Sequence, residues 1–230
     1  MWKYFVPVII FVIIFLGFHS AFGIVLEGEL IWGGESLPFS LMREEEKVGV
    51  MIRYSGESAL RVFTDIETSE VILVDDLNRS YTEGRDELLM STGFLLVLSQ
   101  IFSFQDEWWW EEEVTFYGST ERINIPPFGE SMLLKVSDTK TGVVWNRDLR
   151  PSLGELLEGI LLSNGERGLG TTFWKELFSL PGLPVAHIID GETVFRLFEI
   201  VDEHIVWDEL IMREGYQYQE WSLFLAPLSD

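Results

Sequence analysis

Cysteine is absent from the 230-residue chain, which excludes disulfides, thiolate metal sites and cysteine nucleophiles together. Oxidising compartments permit disulfides without requiring them, so this absence does not place the chain. Histidine occurs three times. With His19 inside an apolar run, only His187 and His204 remain for the body, too few for a three-histidine zinc site in one chain. Asparagine and glutamine are also scarce, at positions 78, 124, 146 and 164 and at 100, 105, 217 and 219. Scarcity of thermolabile residues fits a thermophile, whereas the low lysine content does not. Familiar catalytic signatures are missing as well: no Gly-x-Ser-x-Gly elbow, no His-Glu-x-x-His, and no glycine-rich phosphate loop of either common type.

Positive charge is the other shortage. Sixteen basic residues stand against 38 acidic ones, for a net charge of −22, and the acids run from Glu27 to Asp230 rather than forming a tail. Such a surface repels phosphate backbones, so nucleic acid is not an expected partner. What the chain has in quantity is apolar surface. A hydrophobic fraction of 47% and an aromatic fraction of 14% supply enough to offset the entropy of ordering a chain of this length.

The first apolar block is N-terminal. Lys3 precedes residues 4–18, which carry no charge, and Ala21-Phe22-Gly23 puts small residues three and one before a cut that would leave Ile24 first. That is the pattern of a secretory signal peptide. Residues 4–26 are also long enough to span the hydrocarbon core as a retained helix, since about 20 residues suffice. Residues 1–23 are therefore a signal peptide or a membrane anchor, with an apolar span reaching 26. Lys3 before the run and Glu27 and Glu29 after it orient the N-terminus to the cytoplasm. The body is expected outside the cytoplasm, held at the cell membrane by this helix or secreted if cut after Gly23.

Residues 24–150 read as mostly strands. Runs at 48–54, 59–65, 71–76, 114–117, 122–125, 132–136 and 143–146 are β-branched or alternating and separated by turn residues. Several short strands at regular spacing predict an antiparallel β-sandwich with an immunoglobulin-like pattern, without that fold's cysteine pair. Residues 88–104, apolar with a few hydroxyls, are expected to be a buried core segment. After Arg150 a short helical pair is expected. Ser152 with Glu155 three residues later forms a capping box for a helix to about 162, and a second helix covers 172–180. A C-terminal β-meander follows, over 185–189, 193–201, 204–212 and 216–225, with Asp190-Gly191 as a hairpin turn. Residues 151–230 thus form an α+β region, either separate from the sandwich or continuous with it.

Three groups stand out for function. Trp108, Trp109 and Trp110 lie between acidic residues at 106–107 and 111–113. Alternate strand residues face oppositely, so three adjacent indoles cannot share one core, and an exposed one can bind a glycan or a protein partner. Asp202, Glu203 and Asp208 are calcium candidates in an acid-rich stretch that lacks the EF-hand loop, and the competing reading is a solvated strand face. Asn78-Arg79-Ser80 is a glycosylation sequon in a polar stretch. His187 and Asp190 do not specify a triad by spacing alone. No organic cofactor or transition metal is expected. The leading functional expectation is an exported non-enzymatic ectodomain with a cell-surface interaction or assembly role. The alternative is an exported carboxylate-dependent hydrolase acting on carbohydrate.

Overall fold

A computed structural model describes residues 23–32, 34–55, 58–85, 116–136, 142–160 and 179–221. The protein is mainly β. Among the described residues, twelve strands join in one sheet: β1 (Gly23–Trp32), β2 (Glu35–Glu44), β3 (Lys47–Ser55), β4 (Ser58–Asp65), β5 (Glu70–Asp75), β6 (Ser80–Arg85), β7 (Phe116–Ile125), β8 (Gly129–Val136), β9 (Gly142–Asn146), β10 (Leu183–Ile189), β11 (Glu192–Glu203) and β12 (Gln217–Tyr218). Two helices are described, α1 (Leu153–Leu156) and α2 (Trp207–Ile211).

Two antiparallel meanders make up the sheet, whose strand order is β12-β6-β5-β4-β3-β2-β1-β11-β10-β9-β8-β7. Strands β1 to β6 pair in sequence, as do β7 to β11, and the meanders meet where β1 pairs with β11 from Gly23↔Glu203 to Leu30↔Phe195. The pairing of β1 with β11 closes one of the longest loops in the chain and is invisible to local pattern. It puts β11 and β10 between β1 and β9 of the same sheet. In place of two separately bonded sheets, the hydrogen-bond ladder is single.

Burial explains the choice of strand. On β3 to β5, Val48, Val50, Ile52, Leu60, Val62, Val71 and Leu73 enter the main core, which also takes Leu134, Val144, Trp145, Val185 and Phe195 from the other meander. The opposite face of the same strands is covered too: Phe63, Ile72 and Val74 pack under Trp207, Ile211 and Tyr216. Strands covered on both faces lose apolar–polar alternation and read as continuous apolar runs, as Val71 to Val74 do.

Several expectations change. The strand expected over 204–212 is α2. Trp207, Leu210 and Ile211 are spaced for one helical face, and they, with Ile205, pack against the sheet. A run this short does not distinguish the two periods. Gly49 makes the contact close, since a β-carbon there would lie 2.9 Å from Leu210 Cδ1 and 3.0 Å from Trp207 Cζ3. Among the described residues the C-terminal meander consists of the β10–β11 hairpin, turned by Asp190 and Gly191 at φ 53° and 87°, and two residues of β12 parallel to β6, while residues 222–225 of the last expected strand lie outside the described residues. The described part of the run at 114–117, from Phe116, and the run at 122–125 belong to one irregular strand, β7, whose register shifts between Gly118 and Arg122. The capping box at Ser152 and Glu155 is formed, but α1 lasts four residues before turns to Ile160. Ile24, Val25 and Leu26, counted in the apolar N-terminal run, lie in β1 with Val25 and Leu26 buried. Residues 1–22, 88–104 and most of the second expected helix lie outside the described residues. Among the described residues, no helix is long and apolar enough to cross a membrane.

Candidate functional site

The most distinctive polar group in the described structure lies on the sheet face that carries α2, where β11, β1, β2 and β3 run side by side. Glu27 sits on β1, directly opposite Ser40 of β2 and Glu199 of β11. Directly opposed residues share a face. Ser40 is buried, and its hydroxyl accepts a 3.3 Å bond from the Arg53 guanidinium of β3. Burial pushes the Glu27 carboxyl above its usual value; the Ser40 hydrogen bond and Arg53 pull it down, and Glu203 and Glu199 raise it again. The balance is a carboxyl that holds its proton to higher pH than an exposed glutamate.

Beyond Glu27 the register shifts by one residue, so that Glu27 faces Glu199 while Gly28 faces Leu197. Phe198 is the extra residue on β11, and it is 39% exposed. Arg196 stacks over its ring at 4.8 Å and bonds Glu29 at 2.7 Å, and Glu29 also accepts from Ser36 Oγ at 2.5 Å. The strip thus joins a half-buried, proton-retaining carboxyl, a second carboxyl beside it and an aromatic ring at the bulge. Chemically it can present a carboxyl, an aromatic ring and a guanidinium to a ligand.

Next to this strip the polar groups are structural. Arg61 bonds Asp76 at 2.5 Å and the carbonyls of Glu209 and Leu210 at 2.6 and 3.3 Å. Asp76 also accepts from Tyr216 Oη at 2.9 Å and from the Ala59 amide at 3.1 Å. On the opposite face, Arg43 reaches the carbonyls of Glu155, Leu156 and Glu158 at 3.1, 2.9 and 2.9 Å. Neither helix has a basic residue in its own last turn, and each has its C-terminal carbonyls satisfied by an arginine from the sheet.

The residues singled out from the sequence are dispersed. Trp108, Trp109 and Trp110 lie outside the described residues. Asp202 and Glu203 are consecutive on β11 and so face opposite ways, and Asp208 lies in the first turn of α2; all three are exposed. Among the described residues, no group of three or more His, Asp or Glu side chains is placed to hold a metal ion. His187 is buried in β10, while Asp190 stands in the exposed turn beyond it. Asn78 is exposed between β5 and β6, its side-chain amide donating to Asp75 at 2.6 Å, whereas Ser80 of the sequon is buried. Glu27, Ser40 and Arg53 were not singled out. Glu27 and Glu29, two acids spaced to share a strand face directly after an apolar run, were the available signal.

No family model matches this chain, and no curated protein does. Among solved structures it is similar to the structure of PNGF-II in space group C2, at 11% identity and a TM-score of 0.43, over 91% of this chain and 33% of that one. The chain thus spans about a third of that protein's length. It is also similar to an uncharacterized conserved protein from Thermus thermophilus, at 8% identity and a TM-score of 0.44, over 87% of this chain and 91% of that one.

Proposed function

We propose that this is an exported ectodomain, membrane-tethered or secreted, whose role is interaction or assembly at the cell surface rather than catalysis. The observation that carries the reading is the junction at Gly23: a charge-free apolar run with a single lysine before it hands over directly to β1, inside the sheet. In a soluble protein such a run would need covering on every face, whereas a membrane or a leader peptidase accounts for it. The strongly acidic body suits a soluble outer domain. In this reading Trp108, Trp109 and Trp110 contact a protein or glycan partner, and Asn78 is the glycan acceptor. The core shared by both meanders also supports a sandwich-like closure of the sheet around it. Protease added to intact cells stripped of their wall should digest the body. Full protection until lysis refutes the proposal.

A second reading has its own observation. Glu27 and Glu199 are directly opposed, and burial raises the proton affinity of the Glu27 carboxyl. Paired carboxyl groups with divided protonation are what an acid-assisted glycoside hydrolase needs. Under this reading Glu27 is the acid and Glu199 the second carboxyl, and Glu27→Gln abolishes release of a fluorogenic glycoside without lowering the melting temperature. Activity retained in Glu27→Gln removes the reading.

A further inference from the structure

The apolar run and the sheet meet at one peptide bond, and the sheet encloses it. Gly23 opens β1, which is bonded on both edges, to β11 from Gly23 and to β2 from Ile24. Gly23 is buried, and a β-carbon there would come within 2.2 Å of Ile205 Cδ1 and 3.0 Å of the Arg43 carbonyl oxygen. Val25 and Leu26 follow immediately and pack into clusters on opposite faces. Yet Ala21 and Gly23 are the small residues that a leader peptidase reads, three and one before the bond. An extended peptide is bound through its free main-chain N–H and C=O groups. In the folded protein Gly23 is paired with β11, and Ile24 with β11 and β2.

We propose that the Gly23–Ile24 bond is the processing site and that it can be cut only before β11 docks, so that folding decides whether a molecule is released or stays tethered. The proposal rests on the export reading above. The reaction is hydrolysis: water adds at the Gly23 carbonyl carbon, the C–N bond breaks, Gly23 leaves as a carboxylate and Ile24 becomes the ammonium terminus. No other co-reactant is needed.

Topology sets the timing. Gly23 pairs with Glu203, so the junction stays open until almost the whole chain has crossed the membrane. Non-local pairing of this kind is slow to form, which lengthens the window. Once it is complete, the bond is exposed only when the end of β1 parts from both β11 and β2 and Gly23 leaves its contact with Ile205. Folded domains have unfolding constants that suppress such access by roughly a thousandfold or more. A molecule that folds uncut keeps its apolar run joined to β1 without a linker, holding the sheet end formed by Gly23, Arg43 and Glu203 at the membrane surface.

The test uses purified full-length chain in detergent micelles, incubated with leader peptidase. Two references accompany it: a Val50→Asp variant, which puts a charge at a fully buried position, and a synthetic peptide of residues 1–35. Circular dichroism verifies that the variant is unfolded, and the peptide serves as the open substrate whatever the variant does. Mass spectrometry follows the fragment beginning at Ile24. The expected result is cleavage of both references at least roughly a thousandfold faster than the folded chain. Comparable cleavage of the folded chain overturns the proposal. So does a peptide that is never cut at Gly23–Ile24, an outcome that leaves the export reading to stand on the protease-accessibility experiment.

Discussion

Replacing Arg61 by Met should unfasten α2 from the sheet, and the cost can be worked from its contacts. Arg61 is 6% exposed and donates to one carboxylate and two carbonyls. Removing one member of a buried ion pair typically costs about 3–5 kcal/mol, because the other charge is left behind. Here Asp76 keeps two donors, Tyr216 Oη and the Ala59 amide, which points to the low end of that range. Methionine fills the volume of the lost stem, so no large cavity adds to the cost. The buried Arg61 Nε has no partner, and its removal gives back a little. The net expectation is about 3 kcal/mol, or about 6–12 °C in melting temperature for a chain of this size. Urea unfolding followed by circular dichroism measures the loss, and hydrogen exchange at the amides of α2 locates it. Asp76→Asn in the same background should recover at least about 1 kcal/mol relative to the sum of the single changes, since no lone charge then remains. A loss below about 1 kcal/mol, or strict additivity of the two changes, refutes the account of Arg61 as the clamp.

Three further outcomes are expected. Burial holds the Tyr54 hydroxyl at about 12, with Asp75 adding to the shift. A raised tyrosine contributes stability that is complete below its unfolded value near 10 and is lost as pH rises towards 12, so Tyr54→Phe should flatten the fall in urea midpoint across that window. Glu27 is likewise raised, chiefly by burial, so its contribution is complete below its unfolded value and declines as pH rises through the folded one; Glu27→Gln should be relatively more stable at pH 7 than at pH 4, and an unchanged difference between the two pH values counts against the buried-carboxyl reading. Ser152→Ala should cost about 1 kcal/mol in thermal melts by removing the reciprocal cap with Glu155; that contribution is present above the unfolded carboxylate value and is lost as pH falls, because the cap holds Glu155 below its ordinary range.

The features that were legible in the sequence are those set within a few residues. Asp190-Gly191 marked a hairpin because these residues accept the positive φ that a type I′ turn needs at both positions, and Ser152 with Glu155 marked a helix start because the cap closes within one turn. Strands β3, β4 and β5 were legible from β-branched runs bounded by turns. What was not legible depends on partners far away in the chain. Nothing near Gly23 indicates Glu203, and without that pairing the order of the sheet and the central place of β10 and β11 cannot be derived. The candidate site has the same origin. Glu27 was visible as an acid after an apolar run, but its raised proton affinity comes from burial within the sheet and from Glu203 and Glu199 on β11, against the downward pull of Ser40 and Arg53 from β2 and β3. The 204–212 segment was misread because its helical spacing covers barely more than a turn.

One signal was present and underused, and it bears on what the surface can bind. Basic residues are scarce, and one of them sits inside the apolar strand Ser58–Asp65, where a charge has no reason to be unless it is paired. Arg61 and Arg43 are both turned to helix carbonyls, and Arg53 to a buried serine. Arginine suits this work because its planar fork meets several acceptors at once and keeps its charge when buried, where lysine would lose its own. The consequence is electrostatic. Cations committed to internal carbonyls contribute less to the outer surface than the formal charge suggests, so the exposed acids face solvent with even fewer counter-charges than the ratio of 16 to 38 implies. A partner for such a surface should be basic or bring cations with it, and association should slow steeply as salt is raised, because the attraction is between exposed groups that a Debye length of about 8 Å at physiological ionic strength already screens. A partner that binds equally fast at low and high salt is instead using an apolar contact such as Phe198, and the acidic surface then serves solubility alone.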